Sequence, residues 1–362
     1  MKNINKLTLL LALPFLFACE GTGGDDTGNV DDFAMFIEVN KTEIEADGKD
    51  AATFVIKDAK GNILSTETNL GYVSFKNVET EERLDRYETD FTSIDNGTFE
   101  FVGSYRGVET SNTVTVTAKN RSKYEKYHRN ILFCKLTGTW CTYCPNMTAG
   151  LAGLPASVKD HLVILACHCQ DSFSLPFGQA DLGSYLQSLF GASGIPAGVY
   201  DLSVMDMAQK TADINAILKE RRINNPSTCG VRISSVKMDG NDMKITASVK
   251  AAAGGSYDMA CALVGGEYSY MGGTAVDNKY HDVVRSVSGN FLRYNTDSAK
   301  TLAADEEMTR EFTISFETAP TAAELDNLHV VVFAHKLVDG ESQVDNVAKC
   351  AYGETIDYIL ND

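Results

Sequence analysis

The chain has 362 residues, of which 44% are hydrophobic and 9% aromatic, so it is expected to be globular and long enough for two or three domains. Its 49 acidic residues outnumber the 32 basic residues, which gives a net charge of −17. This charge disfavours nucleic acid and anionic lipid head groups as partners.

The amino-terminal segment has the pattern of an export signal. Two lysines precede an apolar run over Leu7–Ala18, which is shorter than the roughly 20 residues that a membrane-spanning helix needs. The run ends at a cysteine in a context that resembles the processing site of bacterial lipoproteins. The resemblance implies removal of residues 1–18 and acylation of Cys19, followed by an acidic, flexible tether over residues 19–32. An ordinary signal peptide with a chance cysteine is the alternative.

Residues 33–120 contain short apolar runs separated by turn signals, and no cysteine, histidine or tryptophan. The runs are Phe36–Val39, Thr53–Ile56, Val73–Phe75, Phe99–Val102 and Val114–Thr117. Their spacing predicts an antiparallel β-sandwich. The stretch Val39–Asn62 resembles the start of a bacterial immunoglobulin-like domain. We favour a spacer role over protein or glycan binding, because no motif for a particular chemistry is recognisable in the segment.

Residues 122–226 change to an α/β pattern. Continuous apolar runs at Ile131–Leu136 and Leu162–Cys167 predict buried parallel strands. Helices are predicted over Pro145–Leu154, Ala180–Phe190 and Ala208–Ile223. Strands that alternate with helices predict a domain with a parallel sheet.

Residues 228–362 return to strand-like alternation and predict a C-terminal antiparallel β domain. The predicted strands are Val231–Met238, Met243–Val249, Tyr257–Val264, His281–Val287, Phe312–Phe316, Val330–His335 and Gln343–Cys350. A disulfide between two of its three cysteines, Cys229, Cys261 and Cys350, is compatible with an oxidising compartment. We slightly favour Cys261 with Cys350, because both fall in predicted strands.

The pair Cys141 and Cys144 is the main chemical feature of the sequence. Two intervening residues allow the sulfurs to meet and form a reversible disulfide directly after a predicted strand. The start of the following helix would lower the pKa of Cys141 and favour its thiolate as the nucleophile. Cys144 would then resolve a mixed disulfide, and Trp140 would provide an apolar flank.

The stretch Gly194-Ile195-Pro196-Ala197 resembles the cis-proline loop of thioredoxins, and with the preceding strand, cysteine pair and helix it predicts a thioredoxin-like domain. The resemblance implies that Ile195 and Pro196 position a bound peptide. Thioredoxins carry a buried carboxylate six residues before the first cysteine, whereas Lys135 stands there in this chain. Its side chain could point inward and favour the thiolate, or outward and leave the role vacant.

His168 and Cys169 follow the second predicted parallel strand. The carboxyl ends of parallel strands share one sheet edge, so both residues could tune the cysteine pair; core packing is the alternative. Together with His161 and the pair, they also permit a copper or zinc site. We disfavour that interpretation because Pro196 should block the approach to the thiols, and we expect neither metal nor cofactor.

Three stretches extend the resemblance beyond one domain. They are KLTGTWC at Lys135–Cys141, GGTAVDNKYHDVVRSV at Gly272–Val287 and LHVVVFAHKLVDGESQVDNVAKC at Leu328–Cys350. Together they resemble the twenty-eight-kilodalton outer membrane protein family of Bacteroidetes lipoproteins, over about residues 125–355. The resemblance implies an outer-membrane lipoprotein, facing the periplasm or the cell surface, with a thioredoxin-like core.

The sequence therefore supports two functional hypotheses. The first is an envelope lipoprotein, attached through Cys19, that exchanges thiols and disulfides with protein cysteines. The second is a non-catalytic surface binding or structural lipoprotein in which a thioredoxin scaffold holds a static disulfide. The second gains weight because an outer membrane offers no obvious electron supply.

Overall fold

The computed structural model describes residues 34–362. The predicted signal peptide, the tether and the acylation of Cys19 lie outside the described residues. Within residues 34–362, no helix is both long and apolar enough to cross a membrane.

The amino-terminal part is a two-sheet β-sandwich. Its strands are β1 (Met35–Val39), β2 (Glu43–Glu45), β3 (Ala52–Asp58), β4 (Val73–Asn77), β5 (Asp90–Phe91), β6 (Gly97–Tyr105) and β7 (Val108–Lys119). One sheet has the order β1-β3-β5 and the other β2-β7-β6-β4. Phe54 of the first sheet packs against Phe75 and Phe101 of the second, with ring centroids 5.2 and 4.8 Å apart. Alternation places these rings inward, so one apolar core joins the two sheets.

The middle of the chain supplies strands and helices in alternation. The elements are β8 (Ile131–Thr137), α1 (Cys144–Ala152), α2 (Ala156–Lys159), β9 (Leu162–His168), β10 (Pro176–Phe177), β11 (Ala180–Asp181), α3 (Leu182–Leu189), β12 (Ala197–Tyr200), β13 (Val204–Asp206) and α4 (Thr211–Asn224). β8 and β9 are parallel, and β12 is antiparallel to β8. Apolar residues of α1 and α4 pack on one face of these strands, and those of α3 pack on the other. This arrangement is an α/β unit, as the sequence predicts.

The remaining strands are long and antiparallel. They are β14 (Cys229–Asp239), β15 (Asp242–Ala251), β16 (Gly255–Ser269), β17 (Lys279–Gly289), β18 (Lys300–Leu302), β19 (Glu307–Ser315), β20 (Leu328–Val338) and β21 (Glu341–Ala351), with the short helix α5 (Ala322–Asp326) before β20. β14, β15 and β19 form a separate sheet, whose apolar face packs on the core side of β16 and β20.

The other C-terminal strands join the middle strands in one mixed sheet of nine strands. Its order is β13-β12-β8-β9-β17-β16-β20-β21, with β18 paired to β16. The junction is a parallel contact at which Val283 of β17 pairs with Ala166 of β9. The sequence predicted a C-terminal β domain apart from the α/β domain, whereas the sheet is continuous across them. An unpaired edge of β9 would expose backbone donors and acceptors, and β17 covers that edge.

Buried charges reinforce the middle unit. The Asp201 carboxylate, which is fully buried, accepts hydrogen bonds from Arg129 at 2.5 Å and from Arg221 at 2.9 Å. It also accepts the backbone N–H of Leu132 at 3.1 Å. One carboxylate thus binds two guanidinium groups beneath the start of β8.

Candidate disulfide site

The cysteine pair lies between the end of β8 and the start of α1. The N–H of Cys141 donates to the Gly138 carbonyl at 3.1 Å, and the N–H of Cys144 donates to the Cys141 carbonyl at 3.3 Å. α1 begins at Cys144, so Cys141 lies in the turn before the helix. The predicted start of this helix at Pro145 differs from the observed start by one residue. The positive end of the helix dipole therefore lies next to Cys144, with Pro145 in the first turn, where its missing N–H is tolerated.

Cys141 and Cys144 form a disulfide with their Cα atoms 5.5 Å apart. Each cysteine is only 3% exposed. The residues beside them are open to solvent, since Trp140 is 55% and Tyr143 is 66% exposed. The sulfurs therefore lie beneath a rim that carries two exposed aromatic side chains.

The rim also receives a loop from the C-terminal part of the chain. Residues 270–278, which we call the covering loop, connect β16 to β17. The N–H of Thr274 donates to the Thr139 carbonyl at 2.9 Å. The Thr274 hydroxyl donates to the Cys141 carbonyl at 2.8 Å. The covering loop thus binds the backbone on both sides of Trp140.

The loop that resembles the cis-proline loop lies at the same sheet edge. The Ile195–Pro196 peptide bond is cis, as the sequence predicts. Ala197 of β12 pairs with Leu136 of β8, so Pro196 continues this register beside Thr137, at the end of β8. Pro196 is buried and Ile195 is half-buried. The fold therefore brings both residues to the end of the strand that leads into the cysteine pair.

His168 and Cys169 reach the site, but not through the side-chain contacts that the sequence suggested. The Trp140 indole Nε1 donates to the backbone carbonyl of Cys169 at 3.0 Å. Burial raises the pKa of the Cys169 thiol to about 12. His168 is buried, and its Nδ1 lies 2.7 Å from Asp171 Oδ2. Both residues thus support the backbone around Trp140.

Asp171 is a site residue that the sequence did not indicate. Besides His168, its Oδ2 accepts the N–H of Thr139 at 2.7 Å, and its Oδ1 accepts the N–H of Phe173 at 2.8 Å. Burial would raise the pKa of Asp171, but these hydrogen bonds outweigh it and hold the pKa below its usual range. One carboxylate therefore fixes the residue before Trp140. A single aspartate in a loop carries no recognisable spacing signal.

The half-buried Lys135 side chain contacts α1. Its Nζ donates to the Thr148 hydroxyl at 2.8 Å, and that hydroxyl donates to the Cys144 carbonyl at 3.2 Å. Burial lowers the pKa of the Lys135 amine to about 8, and the nearby Asp282 carboxylate offsets part of this effect. A cationic group thus stands on the Cys144 side of the pair, where thioredoxins carry a carboxylate.

The remaining cysteines of the described chain are free and buried. The predicted Cys261–Cys350 disulfide is wrong. Cys261 pairs with Val332 of β20 and Cys350 with Val330, so β20 runs between the two cysteines. Two inter-strand spacings of about 4.8 Å exceed the Cα separation of about 7 Å that a disulfide can bridge.

The alternative of a metal site receives no geometric support. Within residues 34–362, no three histidine, cysteine or carboxylate side chains form a group that could hold a metal ion. His161 precedes β9 and Cys169 follows it, so a strand about 20 Å long separates them. His161 instead lies against the Arg129 carbonyl and stacks on His128.

Comparison with solved structures shows a fold shared with HBP35 of Porphyromonas gingivalis. That structure superposes with a TM-score of 0.51 and 16% sequence identity, covering 63% of this chain and 76% of the HBP35 chain. A β-glucosidase from Kluyveromyces marxianus overlaps 37% of this chain at 14% identity, with a TM-score of 0.19. Three N-terminal domains of the bacteriophage RB49 outer capsid protein Hoc overlap 88% of it at 7% identity, with a TM-score of 0.18. No family model and no curated protein matches the sequence.

Proposed function

We propose that this protein exchanges thiols and disulfides with protein cysteines through a thioredoxin-like centre. The single observation that carries the proposal is the Cys141–Cys144 disulfide, held between the end of β8 and the first turn of α1. Pro196 stands beside the same strand end and is expected to position a substrate peptide with Ile195. The fold shared with HBP35 is consistent with this proposal but says nothing of activity.

The exchange proceeds in two steps. A thiolate of the partner attacks Cys141 Sγ, the bond to Cys144 breaks, and Cys144 leaves as a thiolate that takes up a proton. A second partner thiolate then attacks the partner's own sulfur in the mixed disulfide and releases Cys141. The partner dithiol loses two electrons and two protons, and the protein gains them as two thiols. With a reduced pair, the same steps run in reverse.

The surroundings of Cys144 suit its role as the leaving group. The positive end of α1 stabilises negative charge on the Cys144 sulfur. The Lys135 amine is bonded through Thr148 to the Cys144 carbonyl and adds positive charge on that side. Both effects favour the thiolate over the disulfide, so we expect an oxidising pair.

We further propose that the protein works in the bacterial envelope as a lipoprotein. The support is the signal-like run over Leu7–Ala18 and the acylation context of Cys19. The tether and an immunoglobulin-like spacer would then hold the exchange centre away from an outer membrane. Partners would be protein thiols or disulfides, not nucleic acid.

A static disulfide is the second candidate, and the 3% exposure of both cysteines favours it. In that case the pair would serve as a cross-link in a surface binding or structural protein. The two candidates differ in one property, which is whether the folded protein can open the disulfide.

Insulin reduction driven by dithiothreitol separates them. We expect turnover by the wild type and its loss in Cys141→Ser. Cys350→Ser, which removes a free cysteine from β21, five positions from β8 in the sheet order, is the matched control and should retain the activity. If insulin turnover is equal in all three proteins, or if the Cys141–Cys144 disulfide is reduced only after denaturation, the disulfide is a static cross-link.

A further inference from the structure

The most informative feature outside the exchange centre is the covering loop, residues 270–278. Its middle residue, Thr274, makes two hydrogen bonds to the Thr139 and Cys141 carbonyls, at 2.9 and 2.8 Å. These acceptors flank the aromatic Trp140, and one of them belongs to the proposed nucleophile. A loop of the chain thus binds the backbone carbonyls on both sides of Trp140, next to the disulfide.

Hydrogen bonds fix the middle of the covering loop, whereas side chains on either side of the middle are exposed to solvent. The N–H of Ala275 donates to the Tyr280 hydroxyl at 3.3 Å, and Thr274 is half-buried. In contrast, Met271 is 80% and Val276 is 94% exposed. Two large apolar side chains therefore face solvent on either side of the anchor, so the loop does not bury them in a core of its own.

We propose that the covering loop occupies the substrate-binding strip in the resting protein, and that an extended, cysteine-bearing polypeptide must displace Thr274 before exchange. This inference rests on the proposed function. An incoming strand would offer backbone N–H groups to the Thr139 and Cys141 carbonyls, as in strand addition. Apolar side chains next to the substrate cysteine would contact Trp140 and Tyr143.

The cover also reconciles a reactive pair with its low exposure. Both cysteines are 3% exposed although Trp140 and Tyr143, their chain neighbours, are exposed. A loop that two hydrogen bonds hold on the backbone beside the disulfide can detach by a local fluctuation, without unfolding of the sheet. The disulfide is therefore protected from small thiols most of the time, and a partner that binds the strip gains access.

Thr274→Val tests the anchor with little change in shape. It removes the hydroxyl that bonds Cys141, which is expected to raise the open fraction, and with it the reduction rate, about fivefold. A second variant replaces residues 271–277 with Asn-Gly, a two-residue hairpin turn. Its Cys141–Cys144 disulfide should be reduced at least about tenfold faster than that of the wild type. Thr115→Val, at an exposed strand position of β7, is the matched control and should leave the rate unchanged.

Trp140, the single tryptophan of the chain, reports reduction of the adjacent disulfide by its fluorescence. Rates are measured with excess dithiothreitol in native buffer, and again in denaturant, where all four proteins should react equally. Thermal unfolding confirms that each variant is folded. The inference is supported if Thr274→Val and the shortened loop react faster than the wild type only in native buffer.

Native rates that are equal in all four proteins would overturn the inference. If the equal rates accompany insulin reduction by the wild type, the exchange centre functions without a cover. If instead the shortened loop speeds reduction by dithiothreitol but no variant reduces insulin, the cover is real and the proposed exchange function is wrong. The two proposals therefore fail in different ways.

Discussion

Lys135→Met should stabilise the protein at neutral pH. Burial lowers the pKa of the Lys135 amine from its ordinary value of 10.5 to about 8. This difference of about 2.5 corresponds to roughly 3 kcal/mol by which the charged amine destabilises the folded state. Because the side chain is only half-buried and its bond to Thr148 contributes about 1 kcal/mol, we expect a net gain of about 1–2 kcal/mol.

The pH dependence provides the sharper test. Between pH 8 and 10.5 the unfolded chain keeps a proton on Lys135 that the folded chain has lost, so wild-type stability rises with pH in this window. Lys135→Met lacks this proton, so its advantage is largest below pH 8 and fades toward pH 10.5.

Urea unfolding of both proteins at several pH values between 7 and 10.5 measures the effect. Lys237→Met, at an exposed position of β14, serves as the control and should show a constant difference from the wild type. A Lys135→Met protein that is less stable than the wild type by the same amount at every pH would refute the reasoning. Lys135 would then be an ordinary hydrogen-bonding residue.

Three further substitutions test the support of the site. Asp171→Asn should lower the free energy of unfolding by about 1–3 kcal/mol at pH 7. Because the pKa of Asp171 in the folded protein lies below its usual range, this difference between variant and wild type, measured by urea unfolding, should shrink when the pH is lowered below 4. Asp201→Asn leaves Arg129 without its buried partner and should destabilise by about 3–5 kcal/mol in urea. Gly183→Ala places a Cβ within 2.5 Å of a backbone carbonyl and should lower thermal stability by about 1–3 kcal/mol, whereas Gly194→Ala enters open space and should not.

The disulfide site could be predicted from local sequence because each of its parts is short and contiguous. The apolar run before Cys141 forms β8, the residues after Cys144 form α1, and Ile195–Pro196 returns to the end of β8. Strand periodicity and the spacing of the two cysteines contain this information. The first residue of α1 cannot be read from these patterns, because the turn at Cys141 uses the same residue types as the first turn of the helix.

The covering loop and the continuous sheet could not be predicted in this way. Thr274 contacts Cys141 across 133 positions of sequence, and Val283 pairs with Ala166 across 117. An alternating strand pattern shows that β17 is a strand, but it does not show which edge the strand will pair with. Within Gly272–Val287 the alternation predicts the strand at His281–Val287, but nothing in residues 272–280 indicates that they lie beside the cysteine pair.

The wrong prediction of a disulfide between Cys261 and Cys350 has the same cause, because strand order could not be predicted. Cys261 and Cys350 lie in predicted strands, and both strands exist, but β20 runs between them. Strand order is set by which apolar faces are buried together, and residue spacing along the chain does not reveal it. Position in a strand is therefore weak support for a disulfide without knowledge of the pairing.

Trapping of a mixed disulfide tests the central claim most directly. Cys144→Ser removes the resolving thiol. The Cys141 thiolate should then attack a peptide whose cysteine is activated as a disulfide with a small leaving thiol, so that the peptide becomes bound to Cys141. Mass spectrometry should locate this adduct on Cys141 of the folded protein. We predict one such adduct per chain under native conditions, none in Cys141→Ser, and faster capture with the shortened covering loop. If the folded Cys144→Ser protein forms no adduct even with that loop shortened, and Cys141 reacts only after unfolding, the disulfide is a static cross-link and the exchange function is contradicted.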